Sequence, residues 1–247
     1  MKTEALILSS VLLIIPIIIS YKEKLELNRD IIISMLRAVI QLLVIGYVLN
    51  FIFGLDSLIY TVILVLVMIL NASINTKKKG FIIENQTVIS FISILVGTVV
   101  TLGILIGSGS IGYTPNEVIP IAGMIISNSM VAIGLSYRNL INNFKNNSIE
   151  VEVKLSLGAN IKQASDDIIK ESIKVSIMPT IDSAKTLGIV SLPGMMTGLI
   201  LAGSSPLVAV KFQIMVTFMI ISSSSIATLI STYLAYKSFY NERGHLI

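Results

Sequence analysis

The 247 residues are 54% apolar and 13% charged, with no Cys, one His and a formal charge of +4. Soluble domains carry about twice that charged fraction, so a soluble enzyme or nucleic-acid binder is excluded, and with it any Cys nucleophile, disulfide or thiolate metal site. The excess positive charge must then be read by its position along the chain.

Seven apolar segments follow in chain order, at roughly 5–20, 31–53, 58–76, 87–107, 118–137, 184–203 and 208–236. Each is close to the length needed to cross the hydrocarbon core of a bilayer. Lys and Arg fall in every second gap: Lys22, Lys24 and Arg29, then Lys77 to Lys79, then Arg138 to Lys185, then Lys237 and Arg243. Of the 18 Lys and Arg, only Lys2 and Lys211 fall on the other side, which also carries Glu4, Asp56 and Glu117. The positive-inside rule converts this alternation into a topology. The expected fold is an all-α polytopic membrane protein with seven transmembrane helices, its N-terminus outside and its C-terminus in the cytoplasm. Residues 1–247 read as one transmembrane permease domain, and a cytoplasmic insertion at about 138–183 carries a helix pair between spans 5 and 6. Residues 1–20 lack the basic start and small-residue cleavage site of a signal peptide and read as the first span.

Span 2 holds Arg37 and Gln41 one turn apart, on one helix face. A charge within a span is costly and marks either a pathway or a side chain snorkelling to the interface. Span 3 ends in Asn71 and Asn75, also at i,i+4, which reads as hydrogen bonding to a neighbouring helix. Span 4 has small residues, Ser93, Gly97, Gly103 and Gly107, that allow close helix packing. Span 5 carries Asn128 near its middle as a pathway candidate. The insertion opens with an Asn-rich turn at 142–147 and a short helix capped by Ser148 and ended by Gly158. Asn160 and Gln163 form a capping box for a second helix, which is expected to run to about Ile177 before Pro179 stops it. Its apolar positions Ile161, Ala164, Ile168, Ser172 and Val175 step by three and four, opposite Lys162, Asp166, Lys170 and Lys174. That pattern is an amphipathic helix on the inner membrane surface or on a partner.

Span 6 has a break at its midpoint, Ser191-Leu192-Pro193-Gly194-Met195-Met196-Thr197-Gly198. Proline removes a helix donor, glycine loosens the backbone, and broken spans expose backbone groups to substrate in transporters. The alternative is a kinked span using Gly194 and Gly198 for packing. Met195 and Met196 are candidate soft ligands, more often filler in such a core. Span 7 is longer than a bilayer requires, with Lys211 and Gln213 at its outer edge among the headgroups.

Glu152, Gly158 and Ile168 follow E-x5-G-x9-I, which resembles the EAA loop by which permeases of ATP-binding-cassette transporters engage their ATPase. The alanines usual after the Glu are Val153 and Lys154 here. A longer resemblance lies at 178–198, MPTIDSAKTLGIVSLPGMMTG, continued by LAGSSPL at 201–207 and supported by Arg37-Ala38 and Gln41-Leu42. These segments closely resemble the FetB-type permeases, the membrane subunit of a bacterial iron exporter, whose plant relatives are linked to aluminium tolerance. The resemblance covers essentially the whole chain. It implies a multi-pass protein of the bacterial inner membrane, working as a homodimer with two separate ABC-type ATPase subunits. ATP and Mg would be bound by the partner and no cofactor by this chain, which lacks a G-x-x-x-x-G-K-[ST] loop and is expected not to be an enzyme. Glu152, Gly158 and Ile168 would couple to the ATPase. Arg37, Gln41, Asn128, Asp182, Ser191, Pro193, Gly194, Met195, Met196 and Gly198 would line or hinge the pathway. No residue set reads as a metal cage, and no nucleic acid is expected as a partner.

The rival reading is a secondary transporter or channel working without an ATPase. The absence of Asp or Glu inside any span argues against ion coupling. A Ser–His intramembrane protease is excluded because the one His, His245, lies beyond the spans. A retinal-type receptor would want a Lys in mid-span.

Overall fold

The computed structural model describes residues 10–55, 58–76, 83–241 and 243–246. Lys2, Glu4, Asp56 and the lysines at 77–79, which entered the charge argument, lie outside the described residues. The described residues are helical, with two isolated bridges and no extended strand. The chain divides into two compact units, Met1–Asp56 and Ser57–Ile247.

In the first unit a short 3-10 turn, Ser10–Leu13, leads into α1 (Ile14–Lys22), and α2 spans Asn28–Leu55. The buried Ser20 holds the linker between them, its hydroxyl accepting from the Leu27 N–H at 3.1 Å. Arg37 and Gln41 lie one turn apart on α2.

In the second unit α3 is Leu58–Thr76, α4 is Gln86–Gly107 and α5 is Pro115–Asn146. A short α6 (Ser148–Ser156) and a long α7 (Ile161–Thr186) follow, then α8 (Gly194–Leu201), α9 (Pro206–Ala235) and a 3-10 turn at Tyr236–Phe239. Among the described residues five helices, α2, α3, α4, α5 and α9, are long and apolar enough to cross a membrane. The helix over Ser10–Lys22 is apolar but shorter than a span.

Several local expectations change. Residues 142–146 are not a turn: α5 runs on through them to Asn146, because Leu140 and Phe144 continue its buried face. Asn147 takes the cap position of α6, so Ser148 is its first helical residue. Most of all, Pro179 does not end α7, which continues to Thr186. Proline costs one main-chain bond inside a helix, and here packing against α5 and α9 outweighs it. No helix runs over 184–203. The chain leaves α7 at Thr186, makes an irregular turn at 187–193, and re-enters helix at Gly194.

The core shows why the helices pack. Ile69, Ile94, Ile133, Tyr137, Leu140 and Ile169 form one apolar cluster across α3, α4, α5 and α7. Hydroxyl contacts join the helices inside it: Thr76 Oγ1 to Ser90 Oγ at 2.8 Å, Ser90 Oγ to Tyr137 OH at 3.1 Å, and Ser136 Oγ to Thr232 Oγ1 at 2.5 Å. Side-chain hydroxyls serve as such glue where apolar burial alone gives helices little reason to associate. Asn71 and Asn75 do not contribute. Asn75 Nδ2 donates to the Asn71 carbonyl and Oδ1, at 2.8 and 2.7 Å on an exposed surface, and Thr76 makes the interhelical contact instead. On α4, Ser93 is buried, and a side chain at Gly97 would meet the Ser223 carbonyl of α9 at 3.2 Å, whereas Gly103 and Gly107 face open space. The small-residue contact is therefore confined to the first half of the pattern, Ser93 and Gly97.

The amphipathic face of α7 is buried against its own chain rather than against a lipid surface. Ala164, Ile168 and Ile169 join the cluster of Tyr137, Phe144 and Tyr236. Beyond α9, Phe239 stacks on Phe144 at 4.2 Å and the Tyr240 hydroxyl meets Ser165 Oγ at 2.6 Å. The C-terminal segment is thereby fixed to the start of α7.

Candidate functional site: a cavity at the helix break and an exposed helix turn

Two features of the second unit follow from this packing. The first is a cavity of about 310 Å³ bounded by α5, α7 and α9 and by the break after α7. Its polar lining comes from Asn128 on α5, Ser176, Thr180 and Ser183 on α7, and Gln213 and Thr217 on α9. Pro179, Leu187 and Pro193 complete the side where helix gives way to turn. Ser176, Thr180 and Ser183 recur at three- and four-residue steps, so the continuous α7 presents them as one row. Among the described residues no charged side chain lines the cavity. Asp182 is exposed and pairs with Lys185 at 2.8 Å.

The break is held by its own hydrogen bonds. Gly188, at φ +81°, donates its N–H to the Ser191 carbonyl at 2.9 Å, and Val190 N–H reaches back to the Thr186 carbonyl at 3.0 Å. Pro193 caps α8, and its carbonyl accepts from Thr197 N–H at 3.0 Å. The discontinuity is thus a structured turn of several residues, not a kink at one proline.

The second feature is the α6–α7 joint. Gly158 N–H donates to the Leu155 carbonyl at 2.9 Å and Ala159 N–H to the Lys154 carbonyl at 3.0 Å, the double bond pattern of a Schellman cap. Gly158 itself adopts φ +92°. Asn160 then opens α7 with the expected reciprocal box, each bond with Gln163 measuring 2.9 Å. Lys154 bridges the two helices, 2.9 Å from Asp167 and 2.8 Å from Glu150. Asp167, then Glu150, hold the ammonium well above its ordinary range, and Lys154 in turn lowers the Asp167 carboxyl. Val151 is buried beneath α6. Opposite it Ile149, Val153 and Leu157, spaced by four, are 76%, 52% and 83% exposed. Exposed apolar rows of this kind, here on α6 and its C-cap Leu157, mark protein or membrane interaction surfaces.

Compared with known proteins, residues 3–240 match the family described as Uncharacterised protein family (UPF0014). The chain belongs to the UPF0014 family. Its relatives include the Probable iron export permease protein FetB of Escherichia coli, 50% identical over 244 residues, covering 99% of this chain and 94% of that one. The UPF0014 membrane protein YjkA of Bacillus subtilis is 38% identical over 98% of this chain and 97% of its own length. The Protein ALUMINUM SENSITIVE 3 of Arabidopsis thaliana is 35% identical over 96% of this chain and 86% of its own length. No solved structure matches the chain. With its apolar helices, this UPF0014 protein is a multi-pass membrane protein of a permease family.

Against that family background, the sequence candidates separate in space. Asn128 and Pro193 line the same cavity. Met195 packs with the smaller apolar cluster around Leu105, Ile125 and Val216. Ser191 lies in the turn, exposed, with Met196 on α8. Gly194 and Gly198 have no neighbour within 4 Å of where a side chain would begin, so neither forms a packing face within this unit. Ile168 is core, 6% exposed, while Glu152 lines a cleft with Asn160, Arg243 and His245. Arg37 and Gln41 belong to the first unit. Gln213, assigned to the headgroup region from the sequence, lines the cavity with its Oε1 buried and unpartnered. Ser176, Thr180 and Ser183 were missed because the expected end of α7 near Ile177 concealed their common face, and Thr217 because nothing in the sequence sets it apart from the other hydroxyls of α9. The exposed row of Ile149, Val153 and Leu157 was missed as well, although its four-residue spacing is a signal the sequence carries.

Proposed function

We propose that this chain is the permease subunit of an ATP-driven exporter that moves iron, or another metal ion or metal complex, out of the bacterial cytoplasm. Hydrolysis takes place in a separate ABC-type ATPase, and two copies of the chain pair across the two-fold axis of the ATPase dimer. The whole length acts as one membrane domain of the inner membrane, N-terminus outside and C-terminus inside. Seven crossings follow if α1 continues outward and if the end of α7, the turn and α8 together form a discontinuous sixth. Discontinuous spans near mid-depth are a recurrent way to build transport sites.

The observation that carries this reading is the α6 row. Ile149, Val153 and Leu157 stand exposed beside a capped glycine turn in the largest polar insertion of an apolar chain. The FetB relative, named as a probable iron export permease, supports the cargo class. Purification of the tagged chain from its native membranes in mild detergent tests the partner. A stoichiometric P-loop ATPase is expected with the wild type and is lost with Leu157→Asp. Transport by the purified chain with no ATPase present hands the reading to a secondary transporter or channel.

A further inference from the structure

The described residues after Phe239 fold back as a hairpin beside the α6–α7 joint. Tyr240 pairs with Leu246 in an antiparallel bridge, and Asn241 N–H donates to the His245 carbonyl at 2.9 Å. Asn241 Oδ1 accepts from the main-chain N–H groups of Arg243 and His245, each at 3.0 Å. Gly244, at φ +78°, donates its N–H to the Asn241 carbonyl at 2.9 Å, and a side chain there would rest against Ile161 Cγ2 at 3.7 Å. The hairpin thus holds Arg243 by its main chain and leaves the residue exposed.

Between the hairpin and α6 lies a cleft of about 720 Å³. Leu155, Ile161 and Leu246 give it an apolar lining, Glu152 lines it from α6 and Arg243 from the hairpin. Among the described residues neither Glu152 nor Arg243 enters an ion pair, although Glu150, Lys154 and Asp167 on the same two helices all do. A lone ion in the cleft would gain from one of these charges and lose to the other. A protein segment avoids that conflict, because it can set a basic side chain against Glu152 and an acidic one against Arg243 while covering the apolar lining. The cleft also adjoins the exposed row: Glu152 and Ser156 line it, and Val153 and Leu157 follow each of them in the chain. One partner surface can therefore cover both.

We propose that the C-terminal hairpin is a second wall of the ATPase seat, in which Arg243 pairs with an acidic and Glu152 with a basic side chain of that subunit. The proposal deepens the permease reading and rests on it for the identity of the occupant. Phe239 and Tyr240 anchor the hairpin to Phe144 of α5 and Ser165 of α7, so a load on it reaches two of the helices around the cavity without passing through α6. The probe is the P-loop ATPase recovered with the tagged wild-type chain, purified and titrated back onto the full chain in detergent at rising salt. Arg243→Met should weaken binding about tenfold at low salt, and the difference should vanish at high salt, where screening removes the pair from the wild type as well. A folding defect would cost affinity at every salt concentration. Glu152→Gln should behave in the same way. Lys237→Met removes a cation just before the hairpin but outside the cleft, and should bind as the wild type does. An equal loss in Lys237→Met marks bulk charge attraction and overturns the proposal. Wild-type affinity and salt dependence in Arg243→Met overturn it too, and loss of binding in Leu157→Asp then leaves the permease reading standing on the α6 row. Recovery of no ATPase with the wild-type chain overturns both.

Discussion

Gly158 is the residue whose conformation the α6–α7 joint depends on most. At φ +92° it lies in a region that residues with a side chain enter at a cost of about 1–2 kcal/mol. A Cβ there would meet nothing within 4 Å, so the cost is backbone strain and not collision. Gly158→Ala is therefore expected to leave a folded protein, lower stability by about 1 kcal/mol, and reorient α6 with its apolar row. The readout is metal moved per ATP hydrolysed in vesicles holding chain and ATPase: the ratio should fall while hydrolysis persists. Gly194→Ala provides the contrast. That glycine is not at positive φ and has open space around it, so its thermal stability should match the wild type. If Gly158→Ala leaves the ratio unchanged, the joint does not transmit the partner's motion.

At the scale of elements, α6 is tied to α7 by Val151 beneath and by Lys154 at the surface. The carboxyl of Asp167 is lowered by Lys154, so its contribution is complete above the ordinary aspartate range near 3.9 and is lost as pH falls below it. The ammonium of Lys154 is raised, so its contribution is complete below about 10.4 and is lost only above that. The bridge therefore holds constant from about pH 5 to pH 9. Both partners are exposed enough for water and salt to screen them. Lys154→Met should shift the melting temperature little at pH 7 and remove only an acid-side loss of hydrogen-exchange protection in α6. A large loss at neutral pH would mean that the bridge, not Val151, holds the joint. This joint was largely legible in the sequence, because Gly158, Asn160 and Gln163 act through local chemistry within one turn of the chain. The course of α7 was not. Pro179 is a local signal to stop, and it was outweighed by contacts with α5 and α9 from distant parts of the sequence. The same holds for the cavity: Asn128 stood out as a lone large polar side chain in an apolar span. Gln213 near a helix start looks like any interfacial residue until α7 is continued past it.

For the whole molecule, the distribution of charge makes the strongest claim, and it is one the packing of helices cannot make. Helix contacts are blind to which side of a bilayer they face, whereas Lys and Arg between spans are held back during insertion. On the topology proposed above, the α6–α7 joint would share a side with Lys237 and Arg243, and the α4–α5 turn around Tyr113 would face the other. That turn is locally fixed, with Gly112 N–H donating to Glu117 Oε2 at 2.6 Å, so a probe there reports a defined position. Because the chain has no cysteine, a single Cys introduced at Val153 or at Tyr113 is the only thiol available for labelling. A membrane-impermeant maleimide added to intact cells should modify Tyr113→Cys and spare Val153→Cys, and inverted vesicles should reverse the pattern. Both sites are exposed, at 65% and 52%, so failure to react reports the membrane and not burial. Labelling of Val153→Cys in intact cells would place the apolar row of α6 away from any cytoplasmic ATPase. The permease reading would then lose its partner.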